Sequence, residues 1–204
     1  MLESARLVSI IREVEEKEII SIIEGLVEEG IRWFEISLSD GENGMKCIRT
    51  SRKYFEGRDV YIGAGTVKKK EEIDVLSDMG VPYILTPGFD EQIVRYALEK
   101  KIEVLPGVLT PSEVQAAVNW GIHLAKLFPA DAFSDRYIKA LKGPFPEMDY
   151  VAVGGVTPEN AVNFYRLGYK GVAAGSNLVP KHAKRSDLKK IRETARKYVE
   201  VSQI

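Results

Sequence analysis

The sequence of 204 residues contains little of what several kinds of site require. Cys47 is its only cysteine, which excludes an intrachain disulfide. Its two histidines have no cysteine or carboxylate cluster beside them, so we predict no metal site. No apolar run approaches the roughly 18 residues of a membrane-spanning helix. A formal net charge of −1 gives no electrostatic reason to bind nucleic acid or an anionic membrane surface.

What remains is the composition of an ordinary globular protein. Hydrophobic residues make up 45% and charged residues 29% of the chain, which predicts one domain with one sizeable core over residues 1–204. The first 16 residues become acidic early and lack the apolar region of a signal peptide. Together with the single cysteine, this leads us to expect a cytoplasmic location.

Short apolar runs alternate with helical patterns along the whole chain. We predict strands at 5–11, 31–38, 59–65, 81–87, 102–108, 122–128, 149–155 and 169–176. We predict helices at 16–30, 42–55, 68–80, 90–101, 110–121, 134–142, 157–168 and 187–203. Strands that alternate with helices favour a parallel sheet, and a count of eight favours a closed (β/α)8 TIM barrel. An open doubly wound sheet is the alternative, although no G-x-G-x-x-G follows the first strand.

Two charged residues interrupt strands that are otherwise apolar. Lys126 lies in "IHLAKLF" and Glu35 lies between Phe34 and Ile36. Apolar surroundings disfavour the ammonium form and lower the pKa of a lysine, and the free amine attacks carbonyl groups to form an imine. A carboxylate nearby can carry protons for such a lysine. A buried Lys126–Glu35 ion pair, or a lysine whose ammonium reaches the surface, is the structural alternative.

Residue pairs that contain glycine end the last two predicted strands, where barrels commonly bind phosphate. They are Gly154-Gly155 and Gly175-Ser176, and their exposed backbone N–H groups and a serine hydroxyl are suitable donors. The alternative is that these glycines only allow tight turns.

Two further polar residues end predicted strands. Arg12 follows the first strand and Thr66 follows the third. Arg12 could hold a carboxylate through its fork of donors, and Thr66 could add a hydroxyl. Thr66 could equally be the N-cap of the next helix.

The order of several short motifs is similar to that of one enzyme family. The motifs are "GAGTV" (63–67), "PGVLTPSE" (106–113), "KLFPA" (126–130), "KGPFP" (142–146), "VGGV" (153–156) and "AGS" (174–176). Nearly the whole chain resembles the class I aldolases of 2-keto-3-deoxy-6-phosphogluconate (KDPG) and 4-hydroxy-2-oxoglutarate (KHG). The resemblance implies a metal-free and cofactor-free homotrimer that acts on a small phosphorylated sugar acid.

The resemblance also implies roles for individual residues. Lys126 would form the imine and Glu35 would transfer protons. The remaining implied residues are Arg12, Thr66 and Pro87 at the pyruvate carboxylate, Gly154, Gly155, Gly175 and Ser176 at the phosphate, and Val153 and Phe128 in substrate specificity.

The sequence departs from the family pattern at two points, and the second concerns substrate choice. Ser39 stands where many members carry arginine, and Arg12 matches members that place an arginine after the first strand instead. Val153 stands where gluconate-type members carry threonine, and "FPADAFSDRYIKALK" (128–142) resembles the 6-phosphogalactonate relatives. "KGPFP" resembles the gluconate type. We therefore expect KDPG cleavage to pyruvate and glyceraldehyde 3-phosphate, with KHG cleavage beside it. A 2-keto-3-deoxy-6-phosphogalactonate (KDPGal) aldolase is the alternative, and a phosphosugar isomerase is a more distant one.

Overall fold

The computed structural model describes residues 1–203, in which nine strands alternate with eight α-helices. The strands are β1 (Leu7–Ile11), β2 (Trp33–Ser37), β3 (Tyr61–Gly65), β4 (Tyr83–Leu85), β5 (Glu103–Leu105), β6 (Gly107–Val108), β7 (Leu124–Leu127), β8 (Asp149–Val153) and β9 (Gly171–Ala174). The helices are α1 (Glu16–Glu28), α2 (Glu42–Tyr54), α3 (Lys70–Asp78), α4 (Glu91–Glu99), α5 (Pro111–Asn119), α6 (Arg136–Lys142), α7 (Pro158–Arg166) and α8 (Leu188–Ser202). None of these helices is long and apolar enough to cross a bilayer.

All the strand pairs are parallel, in the order β5-β4-β3-β2-β1-β9-β8-β7-β6. β5 and β6 are two halves of the segment 102–108, which we predicted as one strand. Pro106 separates them, because a proline has no N–H for the ladder, and its carbonyl instead accepts a bond from the Lys126 N–H at 2.8 Å. β5 pairs with β4 and β6 pairs with β7, so this segment joins both edges of the sheet. The prediction of a TIM barrel is confirmed, and the open sheet was wrong.

Alternation along the strands creates two separate apolar layers. In β2, Phe34 and Ile36 point outward and pack in the layer between the barrel and the helices. Trp33 points into the barrel, and Glu35 shares its face by alternation. The inner layer is small and mostly aliphatic.

Three aromatic side chains, which we call the aromatic floor, fill the barrel below Glu35. Trp33 stacks on Tyr61 with 4.2 Å between ring centroids, and Tyr83 lies 5.6 Å from Trp33. The Tyr83 hydroxyl donates to the Phe34 carbonyl at 2.8 Å, which satisfies its polar atom in the interior. Gly63 permits this arrangement, because a Cβ there would overlap the Tyr83 ring. The floor closes the barrel beneath the polar upper part.

Two helices begin at the Thr-Pro pairs that the sequence contains. Thr110 caps α5 and Thr157 caps α7, each accepting a bond from the backbone N–H three residues later. Each helix then begins with proline at its first position, where the missing N–H costs nothing. These starts, which follow β6 and β8, fix the loops at the carboxyl end of the barrel.

Candidate active site

Lys126 and Glu35 both lie inside the barrel, on β7 and β2. Lys126 is 7% exposed and Glu35 is 2% exposed. Within residues 1–203 no salt bridge joins them, and Glu35 Oε2 has no hydrogen-bond partner. The structure therefore does not contain the simple ion pair that we considered, and the buried Lys126 side chain does not reach the surface. Both groups face the interior with capacity for a further partner.

Burial shifts the pKa of both groups toward their neutral forms. Desolvation lowers the pKa of Lys126, Glu35 opposes this by favouring the ammonium, and Arg12 lowers it further. Desolvation likewise raises the pKa of Glu35, while Lys126 and Arg12 act in the opposite direction. A lysine of lowered pKa is a better nucleophile, and a carboxyl of raised pKa is a better proton donor and acceptor near neutral pH.

A glycine on the neighbouring strand makes room for the Glu35 carboxylate. β2 and β3 pair so that Glu35 is level with Gly63 and Ser37 is level with Gly65. A Cβ on Gly65 would overlap the carboxyl group of Glu35. Gly65 of the motif "GAGT" therefore leaves space for a carboxylate on another strand. This contact could not be predicted from the position of the motif in the chain.

Thr66 lies directly after Gly65 in an unusual backbone conformation. Its φ of +62° is in the left-handed region, where a β-branched residue is strained. Its hydroxyl lies 3.0 Å from the hydroxyl of Ser37, which is buried on the same strand face as Glu35. The N-cap alternative for Thr66 was wrong, because α3 begins at Lys70 and Lys69 precedes it as the cap residue.

A cavity of about 210 Å³ opens at the carboxyl ends of β1, β8 and β9. Its lining includes seven of the predicted site residues, namely Arg12, Phe128, Val153, Gly154, Gly155, Gly175 and Ser176. Arg12 Nε is buried there without a partner. The Phe128 ring, which is 42% exposed, has its centroid 5.3 Å from Lys126 Nζ. Phe128 therefore connects the cavity to the lysine.

The glycines at the end of β8 do more than allow a turn. Gly154 and Gly155 have φ of +100° and +64°, which only glycine adopts without strain. Any Cβ on Gly155 would also overlap the carboxylate of Asp131, on the short 3-10 helix Ala130–Ala132. The sequence pattern did not identify Asp131, although it directly follows "KLFPA". It also missed Asn177, which lines the cavity and donates to the Val156 carbonyl at 2.8 Å.

Pro87 is not among the residues that line this cavity. It is exposed and lines a different cavity of about 370 Å³, together with Lys68, Phe89 and others. β4 ends at Leu85, two residues before Pro87. A Cβ on Gly107, the residue of β6 that pairs with Lys126, would overlap the Pro87 carbonyl.

Within residues 1–203 no three histidine, cysteine or acidic side chains lie close enough together to hold a metal ion. A larger cavity, of about 540 Å³, lies at the opposite end of the barrel beside Arg6 and Arg32. Barrel enzymes place their chemistry at the carboxyl ends of the strands, so the smaller cavity beside Phe128 is the candidate site.

Comparison with known proteins identifies the family. The family model for KDPG and KHG aldolases matches residues 1–194. The chain belongs to the KDPG and KHG aldolase family. Its similarity to the 2-dehydro-3-deoxy-6-phosphogalactonate aldolase of Escherichia coli is 35% identity over 173 residues, which is 84% of this chain and 83% of the relative. Its similarity to the 2-dehydro-3-deoxy-phosphogluconate aldolase of Pseudomonas aeruginosa is 30% over 182 residues, which is 89% of this chain and 81% of the relative.

A solved structure of this aldolase family has the same fold. The native KDPGal structure superposes with a TM-score of 0.89 at 31% identity, and the match covers 97% of this chain and 94% of the other. The aldolase family membership makes this chain a lyase, and it agrees with the resemblance carried by the motifs.

Proposed function

We propose that this family member is a class I aldolase, in which Lys126 forms an imine with the C2 ketone of a 2-keto-3-deoxy sugar acid. The observation that carries the proposal is a lysine almost completely buried in a barrel, with a lowered pKa and no salt-bridge partner within residues 1–203. Burying a lysine without a salt bridge costs free energy of folding, whereas its free amine is a strong nucleophile.

The steps follow from the two buried groups. The Lys126 amine attacks C2 to form a carbinolamine, which takes up one proton and loses water to give a protonated imine. The protonated imine withdraws electrons from the C3–C4 bond, and its proton is returned when the imine is hydrolysed. Glu35 accepts the proton of the C4 hydroxyl through a bridging water, and the C3–C4 bond breaks into an aldehyde and an enamine. Glu35 returns the proton to C3 of the enamine. Water then adds to the imine, which releases pyruvate and the free amine.

The cavity supports a substrate with a phosphate at its far end. Arg12 and Thr66 would hold the pyruvate carboxylate, with Pro87 beside them. The Gly154-Gly155 turn, Gly175 and Ser176 would hold the phosphate. This arrangement suits KDPG, which yields pyruvate and glyceraldehyde 3-phosphate. KHG is shorter and would yield pyruvate and glyoxylate without using the phosphate region.

A second candidate substrate is KDPGal, which differs from KDPG at C4. Val153 lines the cavity with an apolar side chain and therefore cannot hydrogen-bond a sugar hydroxyl. The relative with 35% identity is named for the galactonate substrate. A phosphosugar isomerase is less well supported, because it would use the glycine pairs but would not need the buried Lys126.

Two further properties belong to the proposal. We infer a homotrimer from the family resemblance, and a cytoplasmic location from the single cysteine, which is buried. We also infer that the reaction needs no metal, because the imine itself withdraws the electrons. Activity that survives extensive treatment with a chelator would support this last point.

The decisive experiment traps the imine. Borohydride added together with pyruvate should inactivate the enzyme and add a pyruvate-derived mass to the peptide that contains Lys126. Lys126→Met should abolish the labelling, whereas the matched control Lys17→Met, at an exposed helical position, should leave it unchanged. Labelling at another lysine, or intact activity without labelling, would contradict the assignment.

A further inference from the structure

The two helices that begin at Thr-Pro pairs carry different residues at their third position. In α5 this residue is Glu113, whose Oε2 accepts from the N–H groups of Leu109 at 2.9 Å and Thr110 at 2.7 Å. In α7 it is Asn160, whose Oδ1 accepts from the Thr157 N–H at 2.8 Å. Both helices therefore have a complete capping box, but only Glu113 also binds the residue before the threonine.

The residue before the threonine of α7 is Val156, which lines the candidate site. Within residues 1–203 its N–H donates to no protein atom. Asn160 binds a different backbone group, because its Nδ2 donates to the Gly155 carbonyl at 2.8 Å. A carboxylate has no proton for such a bond. The amide at this position thus engages a carbonyl of the turn and leaves the Val156 N–H for another partner.

The bond from Asn160 also sets the direction of the Val156 N–H. The Gly155 carbonyl and the Val156 N–H belong to one trans peptide unit, in which they point in opposite directions. Gly155 and Val156 line the cavity, whereas Asn160 does not. Because the carbonyl points to Asn160, we expect the N–H to point to the cavity. Val156 is buried, and a buried N–H without a protein partner calls for a ligand.

Two further donors hold the next peptide unit in place. The Val156 carbonyl accepts from Asn177 Nδ2 at 2.8 Å and from the buried Tyr198 hydroxyl at 2.9 Å. Asn177 lies in the turn after β9, so its bond joins that turn to the turn after β8. Val156 is therefore fixed on both sides, by bonds to the carbonyl before its N–H and to its own carbonyl.

We propose that Asn160 is a positioning residue for the substrate phosphate, because its amide holds the Gly155 carbonyl away from the cavity and thereby presents the Val156 N–H to a phosphate oxygen. This inference rests on the proposed function, in which the turns after β8 and β9 hold the phosphate. It adds one backbone donor at the start of a helix, where phosphate groups bind well.

A purely structural role for Asn160 is the competing explanation, since its side chain completes the capping box of α7. Loss of a cap lowers stability and should affect all substrates alike. Loss of a positioned donor should affect only a substrate that carries a phosphate. Asn160→Asp separates the two roles, because aspartate still accepts from the Thr157 N–H but cannot donate to the Gly155 carbonyl.

The test compares KM for KHG, which has no phosphate, with KM for whichever of KDPG and KDPGal the native enzyme cleaves faster. For Asn160→Ala and Asn160→Asp we expect the KM of the phosphorylated substrate to rise about tenfold, as for one lost hydrogen bond, and that of KHG about twofold at most. Only Asn160→Ala should lower the thermal midpoint. Glu113→Ala is the matched control, which removes the equivalent cap from α5 and should leave the ratio of KM values unchanged.

The outcomes distinguish this inference from the proposed function. Equal changes for both substrates, or a native KM ratio in either Asn160 variant, would overturn the role of Asn160 and leave the imine mechanism intact. If Asn160→Ala does not fold, the effect of Asn160→Asp should persist at high salt, which screens repulsion; an effect abolished by salt would overturn the role. Failure of the unmodified enzyme to be labelled at Lys126 would overturn the proposed function, and this inference with it.

Discussion

Gly65→Ala should disable catalysis by displacing a side chain on another strand. Gly65 is a regular residue of β3, and its φ is not in the left-handed region, so alanine suits its backbone. The added methyl group would occupy the space of the Glu35 carboxyl group. The three heavy atoms nearest to that methyl group all belong to the flexible Glu35 side chain, which is therefore the part that must move.

The expected magnitudes differ for activity and for stability. Loss of a positioned acid–base group typically costs about 10²–10⁴ in rate, so we expect kcat to fall at least about 100-fold. This corresponds to about 3 kcal/mol or more in the activation barrier. The free energy of unfolding should change by only about 1–2 kcal/mol, because overpacking is partly offset by the lower entropy of the unfolded chain with alanine.

The assay couples pyruvate release to a dehydrogenase and follows the thermal midpoint in parallel. Gly88→Ala is the matched control, since a Cβ there meets no atom within 4 Å. Lys126 in Gly65→Ala should still be labelled by pyruvate and borohydride. The double variant with Glu35→Ala should be no less active than Glu35→Ala alone. A Gly65→Ala enzyme with unchanged kcat would refute the argument that the glycine exists for the carboxylate.

Three other predictions concern pH, phosphate and stereochemistry. Glu35→Gln removes the charge that raises the pKa of Lys126, so the rise of imine trapping with pH should occur at lower pH. Arg12→Gln removes a charge that lowers this pKa, so the same rise should occur at higher pH. Shifts of both variants in one direction would contradict this. Ser176→Ala should raise KM for the phosphorylated sugar acid about tenfold and that for KHG about twofold at most, and an equal rise would indicate a role in folding. Val153→Thr should move the ratio of kcat/KM values for the two C4 epimers about tenfold toward the gluconate epimer. If the native enzyme already accepts only that epimer and the variant behaves the same, another residue recognises C4.

The repeating part of the fold could be predicted because it depends on local patterns. Apolar runs, glycine stops and the Thr-Pro starts of α5 and α7 each reflect neighbours in the chain. The division between β5 and β6 could not be predicted in the same way. It arises because the segment around Pro106 changes its pairing partner from β4 to β7, and a change of partner is a property of the closed sheet.

The same distinction between local patterns and contacts across strands applies to the candidate site. Alternation alone indicates that Glu35 shares a face with Trp33, and the apolar surroundings of Lys126 indicate its burial. The contacts of Gly65 with Glu35 and of Thr66 with Ser37 join two strands, so no pattern within one strand reveals them. The motif groups Pro87 with the pyruvate residues, and this stays a prediction, because Pro87 lines a different cavity from Arg12 while its carbonyl lies against the β6 residue that pairs with Lys126.

The aromatic floor separates the apolar lower part of the barrel interior from the polar upper part, and this affects which substitutions the protein tolerates. Below it, Trp33 contributes bulk, and a substitution that keeps the volume should be tolerated. One step higher on the same strand, Glu35 contributes a charge whose removal the packing would hardly register. Stability and catalysis therefore depend on different residues, Trp33 and Glu35, which lie about 7 Å apart along one strand. Substitutions that stabilise the aromatic floor could therefore be made without changing the catalytic groups above it.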